Sequence, residues 1–108
     1  ITVDNANHLF VINEKSPCML LEFVNQMEIS RKELTYTLDC SDIFYDKSLD
    51  CFWLISDESQ KVMKLSRSGQ LLAQYSLPFT KCEGITIVND QIYIINDSNN
   101  KLYIFQKP

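Results

Sequence analysis

The sequence has 108 residues, with 10 lysines and arginines against 14 aspartates and glutamates, and a formal net charge of −4. This length suits one modest domain, and the acidic balance argues against a protein that binds nucleic acid through a basic surface. No stretch approaches the roughly 20 consecutive apolar residues of a membrane span. The hydrophobic content of 45% is typical of a globular chain rather than a disordered one.

Three similar apolar segments follow one another along the chain: residues 8–14 (HLFVINE), 51–57 (CFWLISD) and 91–97 (QIYIIND). They begin 43 and 40 residues apart, and each ends in a small polar residue followed by an acid. A short strand-like piece precedes each segment, starting at Ile1, Ile43 and Ile85. An alternating apolar stretch follows each one, at residues 19–24, 62–65 and 102–105.

These segments are predicted to be antiparallel strands, because they are rich in β-branched and aromatic residues and are separated by turn-forming residues. In the middle repeat a fourth strand, residues 71–77, follows a turn that contains Gly69. Residues 25–34 are expected to form an elongated loop within the first repeat. No window shows a convincing helical period, so the predicted fold class is all-β.

Four strands per repeat and a period near 40 residues are typical of β-propeller blades. We expect a single partial propeller domain of about 2.75 blades, at residues 1–38, 43–77 and 84–106. Propellers close with about 4–8 blades, so we expect the C-terminal part of a longer chain, or association of copies that covers the open blade faces. The aromatic residues of the strands are expected between blades.

The four cysteines, Cys18, Cys40, Cys51 and Cys82, show no C-x-x-C spacing, which argues against a zinc site. Buried free thiols are the default interpretation. Cys40 and Cys82 occupy the same position of adjacent blades, so a disulfide between them stays open as an alternative. Cys18 and Cys51 have no equivalent partners in the repeat.

Acidic residues recur at two places in the repeat. Glu14, Asp57 and Asp97 end the second strand of each unit, where an Asp or Asn side chain that caps the following turn explains the repetition. The loops Asp39-Cys40-Ser41-Asp42 and Lys81-Cys82-Glu83-Gly84 open the innermost strands, where loops of neighbouring blades converge on the central channel.

Asp39, Asp42 and Glu83 are the candidate metal ligands, because Ca²⁺ prefers hard oxygen ligands, carboxylates among them. These three would supply part of a calcium shell. The alternative is that Asp39 and Glu83 accept hydrogen bonds from backbone amides and fix the start of each blade. A catalytic carboxylate is the third interpretation.

The motifs Asp39-Cys40-Ser41-Asp42-Ile43, Ser56-Asp57-Glu58 and Glu83-Gly84-Ile85 resemble those of the SdiA-regulated (YjiK-like) family of bacterial β-propellers. The resemblance implies a five-bladed propeller with bound calcium and no established catalytic activity. It also implies an extracytoplasmic protein, often membrane-anchored through an N-terminal segment outside these residues. Asp42 departs from the family pattern, which has glycine there.

The function expected from these observations is that of a non-enzymatic scaffold or binding protein for a protein or small-molecule ligand, with calcium near the channel. The alternative is a calcium-dependent hydrolase of the phytase-like or lactonase-like propeller type, in which the metal polarises a phosphoryl or carbonyl oxygen. A hydrolase needs a base near the metal. His8, the single histidine, lies in a strand pattern and is poorly placed for that role, which leaves the carboxylates alone to supply the base.

Overall fold

The structure is a computed structural model that describes residues 1–108, and it consists of eleven β-strands joined by turns and short loops. The strands are β1 (Thr2–Val3), β2 (Leu9–Asn13), β3 (Met19–Val24), β4 (Met27–Glu33), β5 (Asp42–Asp46), β6 (Cys51–Ser56), β7 (Lys61–Ser66), β8 (Leu71–Ser76), β9 (Cys82–Val88), β10 (Gln91–Asn96) and β11 (Lys101–Gln106). The structure contains no helix that is long and apolar enough to cross a membrane.

The strands form three separate antiparallel sheets, and successive strands are neighbours in each. The first sheet contains β1 to β4, the second β5 to β8, and the third β9 to β11. Each sheet is one blade, so the chain forms two four-stranded blades and one three-stranded blade. The prediction of an all-β propeller fold with incomplete third blade is confirmed.

The middle blade is covered on both faces. All six residues of β6 are buried, because side chains of a strand point alternately to opposite faces. Phe52 and Leu54 belong to the core between blades 1 and 2, whereas Cys51, Trp53 and Ile55 belong to the core between blades 2 and 3. This two-sided burial explains why the second strand of the middle repeat is almost entirely apolar.

Aromatic side chains fill much of both cores. The rings of Phe10 in blade 1 and Phe52 in blade 2 lie 4.6 Å apart between their centroids. Phe10 and Trp53 are fully buried, and Phe44 packs against the core between blades 2 and 3. Tyr103 stacks on Phe79 with 4.0 Å between ring centroids. The predicted packing of aromatic residues between blades holds for these positions.

Two ion pairs link adjacent blades at equivalent positions of the repeat. Asp4, at the end of β1, pairs with Arg67, which follows β7 of the next blade. Asp46, at the end of β5, pairs with Lys107, which follows β11, with 2.9 Å between Nζ and Oδ2. Both carboxylates are buried. We call these contacts the inter-blade ion pairs.

The prediction of an elongated loop over residues 25–34 is wrong. Residues 27–33 form β4, the outer strand of blade 1, and pair with β3. Asn25 and Gln26 both have positive φ, at 49° and 67°, as in the tight two-residue turns that suit the twist of a hairpin. Every residue of β4 is exposed, so this strand lacks the one-sided apolar pattern that identifies the others.

Candidate functional site

An acidic cleft lies at the end of the blades where β1, β5 and β9 begin and where β2 and β6 end. Its volume is about 440 Å³. Its lining consists of Ile1, Ile12, Glu14, Lys15, Asp39, Cys40, Ser41, Asp42, Asp57, Glu58, Lys81 and Glu83. The loops that open the inner strands of blades 2 and 3 both contribute to it, and therefore the three predicted metal ligands share one cleft.

The cleft is lined by six carboxylates and two ammonium groups. Lys15 of blade 1 pairs with Glu58 of blade 2, with 2.6 Å between Nζ and Oε1, and this bond raises the pKa of the lysine. Lys81 Nζ lies 3.6 Å from Asp57 Oδ2. Because carboxylates outnumber these cations, the cleft favours positively charged ligands.

Asp39 is a buried anchor for the loop that leads into β5. Its Oδ1 accepts hydrogen bonds from the Ser56 hydroxyl and, at 3.0 Å, from the backbone N–H of Glu58. Its Oδ2 accepts a bond from the Ser41 hydroxyl at 3.3 Å. These partners fit the alternative interpretation of Asp39, in which the carboxylate fixes the start of a blade.

Asp42 and Glu83 differ from Asp39 in how far their oxygens are engaged. Asp42 Oδ2 accepts the backbone N–H of Ile85 at 2.9 Å, a bond from blade 3 to blade 2. Its Oδ1 accepts no hydrogen bond from the protein. Glu83 is exposed, and its carboxylate makes neither an ion pair nor a hydrogen bond, which is also true of Glu14.

No group of three or more His, Cys, Asp and Glu side chains is arranged to hold a metal ion. The donors around the cleft are oxygens of the type that Ca²⁺ prefers, but the ion needs 6–8 of them at about 2.3–2.6 Å. Asp42 and Glu83 have oxygens left to offer, whereas both oxygens of Asp39 already accept hydrogen bonds. The free carboxylate oxygens of this chain are therefore too few to hold a calcium ion by themselves.

The turn caps after the second strands come from the residue before each acid. Asn96 Oδ1 accepts the backbone N–H groups of Ser98 and Asn99, at 2.9 and 3.1 Å. Ser56 Oγ accepts the N–H of Ser59 at 2.9 Å, and Asn13 Nδ2 donates to the carbonyl of Pro17 at 2.7 Å. The predicted capping role therefore belongs to the small polar residues.

Asp57 instead joins two blades. Its Oδ1 accepts the backbone N–H of Lys81, a residue with a positive φ of 62° at the start of blade 3. The carboxylate thus holds the residue before β9, the strand whose second residue is Glu83, at the edge of the cleft. Nothing in the local sequence marks this contact, because its two residues lie 24 positions apart.

All four cysteines are buried free thiols. Cys40 belongs to the core between blades 1 and 2, and Cys82 belongs to the core between blades 2 and 3. Burial raises the pKa of Cys82 to about 12. Of the two interpretations of this pair, the structure shows the one in which both thiols face similar pockets.

His8 lies at the opposite end of blade 1 from the acidic cleft. Its Nδ1 is 2.6 Å from Glu22 Oε1, and Arg67 completes the cluster with Asp4. Burial raises the pKa of Glu22, but hydrogen bonds from His8 and Ser30, together with the nearby charge of Arg67, outweigh burial and lower the pKa overall. His8 therefore cannot act as a base at the cleft.

The comparisons with known proteins give one family and one fold. The sequence model of the SdiA-regulated family matches residues 24–108. The structure is similar to a crystal structure of a protein of unknown function from Bacteroides caccae, with a TM-score of 0.64 and 15% sequence identity. The match covers 97% of this chain and 45% of the Bacteroides caccae protein, so this chain spans less than half of the length of that protein. No curated protein matches the chain.

Proposed function

The chain belongs to the SdiA-regulated family, and from this premise we propose that it is part of an exported, non-enzymatic β-propeller that binds a ligand at the acidic cleft, with Ca²⁺ as its cation. The observation that carries the proposal is the lining of the cleft, in which six carboxylates face two lysines. Glu14 and Glu83 have no protein partner there, so their charge is available to a ligand.

Asp42 and Glu83 are the calcium ligands that we propose from this chain. Water, backbone carbonyls and other blades of the same protein supply the remaining oxygens, because the ion takes about 6–8. Bound calcium neutralises the charge of the two carboxylates that hold it, and the two lysines and Ser41 line the rest of the cleft as contacts for a protein or small-molecule ligand. Asp39 holds the loop in place through its three hydrogen bonds.

We further propose that the outer face of blade 3 packs against another blade of the same protein. Ile95, Leu102 and Ile104 expose more than half of their side chains on this blade. The two inter-blade cores of the chain are built from apolar faces of the same kind, so a further blade continues an existing interface.

Cell fractionation with an antibody tests the extracytoplasmic location.

The test of calcium binding is isothermal titration of the whole purified protein with CaCl₂ in a chelator-treated buffer. We expect Glu83→Gln to weaken binding at least tenfold, about 1.4 kcal/mol, because it removes a charged ligand. Glu33→Gln, which removes an exposed carboxylate from β4, is the matched control and leaves the affinity unchanged. Absence of binding, or equal weakening by both variants, would contradict the proposal.

The same variants test the absence of catalysis. A calcium-dependent hydrolase needs a base near the metal, and because His8 lies at the far end of blade 1, that base would have to be a carboxylate of the cleft such as Glu14. For a binding protein we expect no calcium-dependent turnover of p-nitrophenyl phosphate or of a simple lactone. Turnover that requires calcium and disappears in the Glu83→Gln protein would replace the binding function with the hydrolase.

A further inference from the structure

Cys18 and Cys40 lie side by side beneath the acidic cleft. Cys18 is the residue before β3, and Cys40 lies in the loop before β5. The Sγ of Cys18 donates to the backbone carbonyl of Glu14 at 3.1 Å, and the same oxygen accepts the backbone N–H of Cys40 at 2.8 Å. The shared acceptor holds the two cysteines together within the core between blades 1 and 2.

The thiol of Cys18 also lies close to the segment that leads to Cys40, because its Sγ is 3.9 Å from the backbone carbonyl of Thr37. The side chains of both cysteines are almost fully buried, with exposed fractions of 5% for Cys18 and 2% for Cys40. Burial raises the pKa of both thiols, so the reactive thiolate is scarce in the folded protein at neutral pH. Exchange with external disulfides is therefore slow once the protein has folded.

We propose that Cys18 and Cys40 are joined by a disulfide when the protein folds in the presence of a low-molecular-weight disulfide such as oxidised glutathione. The proposal is independent of calcium binding. An exported protein meets such conditions, since disulfides persist in oxidising compartments. The equivalent cysteines Cys40 and Cys82 do not form this bond, because they lie in different inter-blade cores.

The bond forms in two exchange steps. The thiolate of one cysteine attacks a sulfur of oxidised glutathione, breaks its S–S bond and releases one glutathione thiolate. The second cysteine then attacks the mixed disulfide, forms the Cys18–Cys40 bond and releases the second glutathione. Two electrons and two protons pass from the protein thiols to give two molecules of reduced glutathione.

The disulfide connects the start of β3 to the loop that carries Asp39 and leads into β5, whose first residue is Asp42. The closed loop of residues 18–40 contains the whole β3–β4 hairpin. The bond lowers the conformational entropy of the unfolded chain and so stabilises the folded protein. We expect the melting temperature of the oxidised protein to rise by about 5–10 °C for a domain of ordinary size. The same bond holds the wall of the cleft in one position.

The test is peptide mapping of the whole protein after refolding in oxidised and reduced glutathione. Free thiols are alkylated under denaturing conditions, and trypsin then places the four cysteines on separate peptides, residues 16–31, 33–47, 48–61 and 82–101. We expect a disulfide between the first two peptides, with Cys51 and Cys82 alkylated. Dithiothreitol removes both the cross-link and the rise in melting temperature.

Cys18→Ser abolishes the cross-link, and Cys51→Ser, the matched control, keeps it. Should either variant fail to fold, the map of the unaltered protein decides by itself. Alkylation of all four cysteines after oxidative refolding would overturn the proposal. A cross-link between Cys40 and Cys82 would overturn it equally.

Discussion

Replacing Asp46 by asparagine removes the charge at the centre of one inter-blade ion pair. Asp46 is 5% exposed and accepts hydrogen bonds from the Ser48 N–H at 3.0 Å, from Trp53 Nε1 at 3.2 Å and from Lys107 Nζ at 2.9 Å. Burial raises the pKa of this carboxyl, but the bonds from Ser48, Lys107 and Trp53 outweigh burial and bring it to about 2.

The low pKa of Asp46 sets both the size and the pH dependence of the stability that the substitution removes. The difference from the ordinary value of 3.8 corresponds to roughly 2.5 kcal/mol of stability at neutral pH, since one pKa unit is about 1.4 kcal/mol. The folded-state pKa is depressed, so this stability is present above the unfolded-state pKa. It is lost as the pH falls through the folded-state value, and about half remains near pH 3.

Urea unfolding of the unaltered protein and of the Asp46→Asn protein between pH 7 and pH 2.5 measures this stability and its pH dependence directly. We expect Asp46→Asn to lower the free energy of unfolding by about 2–3 kcal/mol at pH 7 and by about half as much at pH 3. Asp90→Asn is the control, because Asp90 also contacts Lys107 but its side chain is 74% exposed. An equal loss at pH 7 and pH 3, or a loss equal to that of the control, would refute the reasoning.

Two further substitutions test the packing of the blades and the assignment of β4. Leu54→Ala opens a cavity at a fully buried position between blades 1 and 2, and should lower the urea-unfolding free energy by about 2–5 kcal/mol. Gln26→Gly places a glycine where φ is 67°, a conformation that glycine adopts at less cost, and should raise the free energy of unfolding by up to about 1 kcal/mol. A destabilised Gln26→Gly protein would contradict the tight turn, and an unchanged Leu54→Ala protein would contradict the inter-blade core.

The blade architecture could be predicted because the buried second strands are apolar and recur at a regular spacing in the sequence. β6 is covered on both faces and is almost entirely apolar, and the same kind of segment recurs in β2 and β10. β4 could not be found this way, since no residue of it is buried. Its turn, Asn25-Gln26, lacks the glycine that usually marks a two-residue hairpin.

The position of the cleft also followed from the repeat, because loops at equivalent positions lie at the same end of the blades. The repeat could not show which carboxylate oxygens are engaged. Asp39 bonds to Ser56 and Asp42 bonds to Ile85, across 17 and 43 positions of the chain. Such partners depend on how the blades pack rather than on local sequence.

The cysteines show the limit of arguing from equivalent positions. Cys40 and Cys82 are equivalent in the repeat, but equivalent positions of adjacent blades face successive cores and so do not meet. Cys18 has no equivalent in the repeat, yet it lies beside Cys40 because β3 begins next to the loop that leads into β5. The contact arises from the packing of non-equivalent positions.

A crystal structure of the whole protein grown with millimolar CaCl₂ tests the central claim most directly. The account predicts an anomalous peak in the acidic cleft, at about 2.3–2.6 Å from carboxylate oxygens of Asp42 and Glu83. A cleft without such a peak, or a calcium ion whose ligands include neither residue, would contradict the account.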